Sequence, residues 1–295
     1  MSKKIFVVGS GFMGAGIAQV AITAGFEVVL NDVSLDLVQK AKGSIDKMLS
    51  KTVSKGKMTE EERTASMARL QTSADFNGAA DADFIIEAVV ENVDVKKDIF
   101  AKLSNICKAD AIIATNTSSI SIAELSTALK DPSKFLGMHF FSPVPLMKLL
   151  ELVRGLATSD ETIKKAKAVG EQLGKICVVS TDSPAFIVNR MLNPLLNEAI
   201  LILESGIAGV EDIDAAMKFG LNHPMGPLEL LDMVGIDVEL AALTTIFNET
   251  GDPKYRPCGL LKNMTRLGWL GRKTGMGFYV YHEDGSRTPN PNLVK

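Results

Sequence analysis

The chain has 295 residues, 46% of them hydrophobic and 23% charged, and its 32 basic and 35 acidic side chains leave a formal charge of −3. That balance excludes a mainly disordered chain and a basic nucleic-acid-binding surface, and no apolar run approaches the roughly 18 residues of a membrane helix. Cys107, Cys177 and Cys258 are far apart and form no C-x-x-C pair, so we expect no structural zinc, no metal site and a reducing, cytoplasmic setting without a cleaved signal.

Lys4–Val8 reads as a short strand that runs into Gly9-Ser10-Gly11-Phe12-Met13-Gly14, and residues 14–25 beyond it are Ala- and Gly-rich with helical character. Strand signals return at 27–30, 84–87, 111–115 and 135–138, with helix-like stretches at 94–107 and 121–130 between the later ones. Ser121 and Glu124 have the spacing of a capping box. Alternation of this kind predicts an α/β fold with a Rossmann-type doubly wound sheet. Residues 36–70 break the rhythm with a Lys- and Glu-rich stretch that keeps helical spacing at Ile45, Met48 and Leu49; we read it as a helical excursion, either a solvated hairpin or a ligand-binding arm. Residues 148–153 read as a returning strand and 175–179 as a last one. A proline at 184 then precedes helix-sized segments at 186–205, 211–219, 226–249 and 257–267, which predicts domains 1–183 and 184–295, the second all-α.

The glycine pattern has the context that gives it meaning, because it follows a strand and opens a helix. Its first glycine permits a tight turn, its second lets a pyrophosphate reach backbone amides at the helix N-terminus, and its third lets helix and strand pack closely. Asp32 stands 18 positions after Gly14, at the end of the second strand. A carboxylate there accepts from a ribose 2′-hydroxyl and repels a 2′-phosphate, which selects NAD over NADP. Glu91 and Lys96 follow the strand at 84–87 and lie at the carboxyl edge of the sheet; they read either as cofactor contacts or as a helix cap and a solvated lysine.

Hydride chemistry on a carbinol needs a base, and the chain offers only His139, His223 and His282. His223 sits in a His-Pro-Met-Gly-Pro turn and His282 in a Gly- and charge-rich tail, whereas His139 ends a strand at the carboxyl edge. Glu151 lies 12 residues on, past two prolines and on the returning strand, where it can orient the imidazole and stabilise the imidazolium. Ser118 and Asn189 can donate to a substrate oxygen, although Ser/Thr/Asn clusters also serve as turns and caps. Tyr255, Tyr279 and Tyr281 lack a lysine four places on, which excludes short-chain reductase chemistry.

Taken together, residues 9–14, Asn116-Thr-Ser-Ser119, His139-Phe-Phe-Ser-Pro-Val-Pro145, residues 182–190, Pro224-Met-Gly-Pro-Leu-Glu-Leu-Leu-Asp232 and Gly271-Arg-Lys-Thr-Gly-Met-Gly-Phe-Tyr279 give the chain a full-length resemblance. It is similar to the L-3-hydroxyacyl-CoA dehydrogenase family, most closely to the bacterial 3-hydroxybutyryl-CoA group. The resemblance implies interconversion of 3-hydroxyacyl-CoA and 3-ketoacyl-CoA with NAD, with His139 as base, Glu151 as its orienting carboxylate, and Ser118 and Asn189 on the substrate oxygen. It implies that Asp32, Glu91, Lys96 and Lys273 contact NAD, that Ser142 borders the nicotinamide, that Lys51 and Lys55 receive the CoA, and that the second domain forms a homodimer. Ser142 replaces the family's usual asparagine, and Met48 stands where some relatives have a serine. Two further readings share the pattern: a dehydrogenase of another 3-hydroxy substrate, such as 3-hydroxyadipyl-CoA or gulonate, and an NAD-binding, crystallin-like protein with idle chemistry.

Overall fold

A computed structural model describes residues 4–293, and it divides into one compact unit ending at Phe186 and a second beginning at Ile187. In chain order the first unit contains β1 (Lys4–Val8), α1 (Phe12–Thr23), β2 (Glu27–Asn31), α2 (Leu35–Ser54), α3 (Glu60–Ala68), β3 (Leu70–Ser73), β4 (Phe84–Glu87), α4 (Val93–Ile106), β5 (Ile112–Thr115), α5 (Ile122–Ser126), β6 (Phe135–Phe140), β7 (Leu149–Arg154), α6 (Asp160–Gln172) and β8 (Ile176–Thr181). The eight strands form one sheet in the order β3-β2-β1-β4-β5-β6-β7-β8. Pairing is parallel throughout except at β6–β7, which is antiparallel. The chain reverses its direction of travel across the sheet between β1 and β4, which makes the carboxyl ends of those two strands the ligand-binding crevice of a doubly wound sheet.

Alternating strand residues serve two cores, as the period of two requires. Ile5, Val7, Leu30, Ile86, Met138 and Leu152 pack with α1, α2 and α6, while Phe6, Val8, Val29, Ile85, Ile113 and Val153 pack with α4 and α5. Residues on both faces of most strands are therefore apolar, which explains why the central strands were readable as apolar runs.

The excursion proves to be two helices and a strand. α2 buries Val38, Ala41, Ile45 and Leu49 in the core on the α1 side, so its inner face is structural. α3 starts with a complete capping box between Thr59 and Glu62, and β3 then pairs with β2 at the sheet edge. Sequence patterning does not reveal β3, because Leu70-Gln-Thr-Ser has a single apolar residue. Ser121 accepts from the Glu124 amide at 3.3 Å, but the Glu124 carboxylate pairs with Lys97 instead of closing the box, and α5 runs only to Ser126.

The second unit contains α7 (Val188–Glu204), α8 (Val210–Gly220), α9 (Pro227–Val234), α10 (Ile236–Thr250), α11 (Gly259–Arg266) and the strands β9 (Tyr279–Tyr281) and β10 (Arg287–Pro289). Two expectations are corrected here. The span 226–249 is split at Gly235, whose φ of +115° ends α9. Nor is the unit all-helical, since β9 and β10 pair antiparallel as a small hairpin. The hairpin is tied to the helices by buried carboxylates: Asp232 accepts from the amides of Phe278 and Tyr279 at 2.8 and 2.9 Å, and Asp214 accepts from the Tyr279 hydroxyl at 2.7 Å. Burial pushes both carboxyls up, against the donors that partly compensate it. The two C-terminal motifs of the resemblance are thus one structural joint, with Gly277 small because a Cβ there would meet Asp232 Oδ1 at 1.9 Å.

Candidate active site

At the end of β1 the three glycines have separate physical reasons. Gly9 has φ +96°, and a Cβ on it would lie 2.5 Å from the Ala88 carbonyl; a Cβ on Gly14 would lie 1.8 Å from the Gly9 carbonyl. Gly11 has nothing within 4 Å of its Cβ position, so the space above it is open to a ligand. It is also the N-cap of α1, which no side chain caps and whose first turn carries no acid. The first amides of α1, on Phe12, Met13 and Gly14, therefore offer donors and the positive end of a helix dipole to a pyrophosphate.

Asp32 sits just past β2 and is fixed to that loop. Its Oδ2 accepts from both the amide and the hydroxyl of Ser10 at 2.7 Å, and its Oδ1 accepts from the Val33 amide at 2.7 Å. Burial opposes its charge, and the donors of Ser10 and Val33 outweigh burial, holding the carboxyl below its ordinary range. An ionised, pre-oriented acceptor beside an open glycine turn suits a dinucleotide with a free ribose 2′-hydroxyl.

On the other side of the crevice β4 ends in Glu87, which is fully buried, as is Lys96 on α4. Lys96 Nζ donates to Glu87 Oε1 and Oε2 at 2.7 and 2.9 Å and reaches Glu91 Oε2 at 3.2 Å. Lys96 is therefore neither a solvated helix lysine nor open to the crevice, because its ammonium is occupied by two carboxylates. Glu91 is no helix cap, since Asn92 caps α4. Its Oε1 instead accepts from the Thr117 hydroxyl, the Ser118 amide at 3.0 Å and the Ser119 hydroxyl at 3.1 Å. Burial raises the Glu91 carboxyl, but the Lys96 charge and these donors outweigh it and hold it low. Glu87, Thr115 and Thr117 escaped sequence reasoning; an acid at a strand end with a second acid four and a lysine nine positions on was the available signal.

β6 and β7 pair in a register that sets His139 directly opposite Glu151. The pleat sends both side chains to one face, and His139 Nδ1 lies 2.7 Å from Glu151 Oε2 with the two residues 5% and 0% exposed. Phe141 and Phe186 pack on the imidazole with ring centroids 4.5 and 5.6 Å away. Asn116 ties the β5 loop to this strand end by accepting from the Phe140 amide at 2.9 Å. Ser118, two residues along that loop, is half-buried. Ser142 is exposed and precedes a cis peptide bond to Pro143. Buried Lys175 holds the following turn through the carbonyls of Val144 and Met147.

Two adjoining hollows of about 610 and 550 Å³ run along α1 and α2 and share Gln19 and Pro145. Asp32, Lys40 and Met48 line the first, Lys55 and Lys57 the second. Lys55 is the C-cap of α2, whereas exposed Lys51 in its last turn lines neither hollow, so the expected shared helical face brings only Lys55 to the groove. In the second unit Asn189 is half-buried one residue into α7, and Lys273 pairs with Asp237. His223 lies in a turn after α8, its amide bonded to the Met217 carbonyl, and His282 bonds Thr288 across the hairpin. No cluster of metal-ligating side chains occurs among the described residues.

Comparison with known proteins matches residues 4–183 to the NAD binding domain of 3-hydroxyacyl-CoA dehydrogenase and residues 186–281 to the C-terminal domain of the same enzyme. A 3-hydroxybutyryl-CoA dehydrogenase from Bradyrhizobium diazoefficiens is 50% identical over 279 residues, covering 95% of both chains. Another from Clostridioides difficile is 44% identical over 280 residues, covering 95% of this chain and all of that one. The crystal structure of (S)-3-hydroxybutyryl-CoA dehydrogenase from Ralstonia eutropha superposes with a TM-score of 0.94 at 44% identity, covering 96% of this chain and 100% of that one.

Proposed function

The chain belongs to the 3-hydroxyacyl-CoA dehydrogenase family, and from that premise we propose that it interconverts (S)-3-hydroxybutyryl-CoA and acetoacetyl-CoA as an NAD-dependent oxidoreductase of butyrate and fatty-acid metabolism. The observation that carries the reading is the buried His139–Glu151 pair at 2.7 Å on the carboxyl edge of a dinucleotide-binding sheet. NAD, when bound, supplies the hydride acceptor. His139 takes the proton of the 3-hydroxyl at Nε2, because Nδ1 is committed to Glu151. Glu151 holds the ring in one tautomer and balances the imidazolium as it forms. Ser118 and Asn189 hold the substrate oxygen, and Phe141 and Phe186 keep water from the imidazole. In the reducing direction His139 returns the same proton.

The CoA portion is assigned to the second hollow, whose apolar wall of Val20, Leu49, Met58 and Leu146 suits a pantetheine arm and whose Lys55 and Lys57 suit a phosphate, while the first, lined by Gly11 and Asp32, goes to the dinucleotide. The active species is assigned as a homodimer, in which a second copy would cover exposed apolar side chains of the second unit such as Ile207, Phe219 and Leu221, 74%, 84% and 65% exposed. No described helix is long and apolar enough to cross a membrane, and we assign the reaction to the cytoplasm. NADH oxidation assayed with 3-ketoacyl-CoA substrates from C4 to C16 tests the reading. Turnover greatest at C4 supports it, and absence of turnover with every member refutes it. Sedimentation that finds only monomer at micromolar concentration refutes the dimer.

A further inference from the structure

Glu87 has no place in the chemistry above, yet it is fully buried and both of its oxygens are satisfied by donors from three different residues. Its Oε1 accepts from the Val89 amide at 2.7 Å and from Lys96, and its Oε2 accepts from Lys96 and from the Thr115 hydroxyl at 2.6 Å. A buried ion pair is weak evidence of stabilisation, since a well-packed apolar pair of similar volume often does as well or better. What such a pair does provide is direction. Lys96 is gripped by both oxygens of Glu87 and has Glu91 Oε2 as its remaining anionic partner at 3.2 Å. Glu91 Oε1, so oriented, gathers the Thr117 hydroxyl, the Ser118 amide and the Ser119 hydroxyl. The same loop is held at its root, where the Asn116 amide donates to the Glu87 carbonyl at 2.8 Å and the Thr117 amide to the Thr115 hydroxyl at 3.2 Å.

We propose that Glu87 is a positioning residue for Ser118, acting through the buried relay Glu87–Lys96–Glu91 that fixes the 115–119 loop. The inference rests on the reading that Ser118 holds the substrate oxygen. Loss of the Glu87 charge leaves Lys96 to a single carboxylate, which turns Glu91 and moves the amide and hydroxyls it collects. A shift of a fraction of an ångström at Ser118 lowers turnover, because catalytic geometry is sensitive at that scale.

The test is a double-mutant cycle of Glu87→Gln with Ser118→Ala, read by kcat for acetoacetyl-CoA reduction and by NADH affinity from fluorescence. Glu87→Gln is expected to lower kcat about tenfold with the NADH Kd within about twofold of the parent, because the displaced group acts on substrate. In the Ser118→Ala background the same substitution is expected to change kcat by less than about twofold, since the residue it positions is gone. Independent, multiplicative effects in the double variant overturn the proposal, as does a tenfold loss of NADH affinity that accounts for the slower rate. A Ser118→Ala variant with parental kcat refutes the role of Ser118 itself, a failure separate from additivity. Should Glu87→Gln not fold, Glu87→Asp keeps the charge on Lys96 but withdraws it by one methylene, and the same cycle must again be non-additive.

Discussion

Glu151→Gln isolates the electrostatic part of the dyad, because the amide keeps the shape and one acceptor oxygen while the charge disappears. His139 Nδ1 and Glu151 Oε2 are 2.7 Å apart, and both residues are buried. The charge centres of an imidazolium and this carboxylate are then about 4 Å apart, which at an effective dielectric near 20 corresponds to about 4 kcal/mol. A neutral hydrogen bond to the glutamine oxygen recovers about 1 kcal/mol of that. The remaining ~3 kcal/mol, at 1.4 kcal/mol per decade, predicts a kcat about 10² below the parent. Because the imidazolium forms only as the proton moves, KM for NADH should hold within about twofold. Stopped-flow and steady-state NADH oxidation with acetoacetyl-CoA, together with near-UV circular dichroism to confirm folding, measure this directly. A folded variant with kcat within threefold of the parent would refute the assignment of Glu151 as the partner of the base.

His139→Gln should lower kcat by about 10²–10⁴ with NADH affinity unchanged, since His139 is the base of the dyad and both other histidines belong to the second unit; near-parental turnover removes His139 as base. Asp32→Ala should narrow a strong preference for NADH over NADPH, read as the ratio of kcat/KM, and equal use of both by the parent would contradict the ribose assignment. Lys55→Ala should raise KM for acetoacetyl-CoA and flatten its dependence on salt, whereas Lys51→Ala should do less, because Lys55 lines the second hollow and Lys51 lines neither; equal effects argue against this placement of CoA. In the second unit, burial pushes the Glu239 carboxyl up to about 8, and its Oε1 has no partner among the described residues. The folded state thus binds a proton that the unfolded state has released above about pH 4.5, so stability falls as pH rises from there toward 8. Glu239→Met should therefore stabilise by roughly 2–4 kcal/mol near pH 7.5 and by much less near pH 5. Urea unfolding at the two pH values reads this, and a gain that does not change with pH contradicts it.

The central strands were legible in the sequence because burial on both faces makes them apolar runs, and the glycine turn with Asp32 was legible because its chemistry is local. His139 and Glu151 were also within reach, since a strand end and a returning strand twelve residues on can meet only across a hairpin. What escaped was set by tertiary context. β3 is a polar edge strand, and β9 and β10 are three-residue strands held by Asp232 and Asp214 from distant helices. Lys96 looks like a surface lysine in any window of sequence, and only the meeting of β4, α4 and β5 reveals two carboxylates around it. The spacing of four between Lys51 and Lys55 suggested one helical face, but the helix stops at Ser54.

The pairing of β6 with β7 has a consequence for how this chain can tolerate changes in length. Leu150 and Leu152 flank Glu151 and point into the opposite layer, beside Met138 and Phe140. The 141–148 connection is itself anchored, by Phe141 on the imidazole, by buried Val144 and by Lys175 on the Val144 and Met147 carbonyls, so insertions there disturb the surroundings of the site without shifting the ladder. Deleting one residue inside β7 exchanges its two faces, pressing a carboxylate into the aliphatic layer and presenting a leucine to the imidazole. Proton transfer here is thus a property of strand alignment, and single-residue deletions in β7 should yield no active clones.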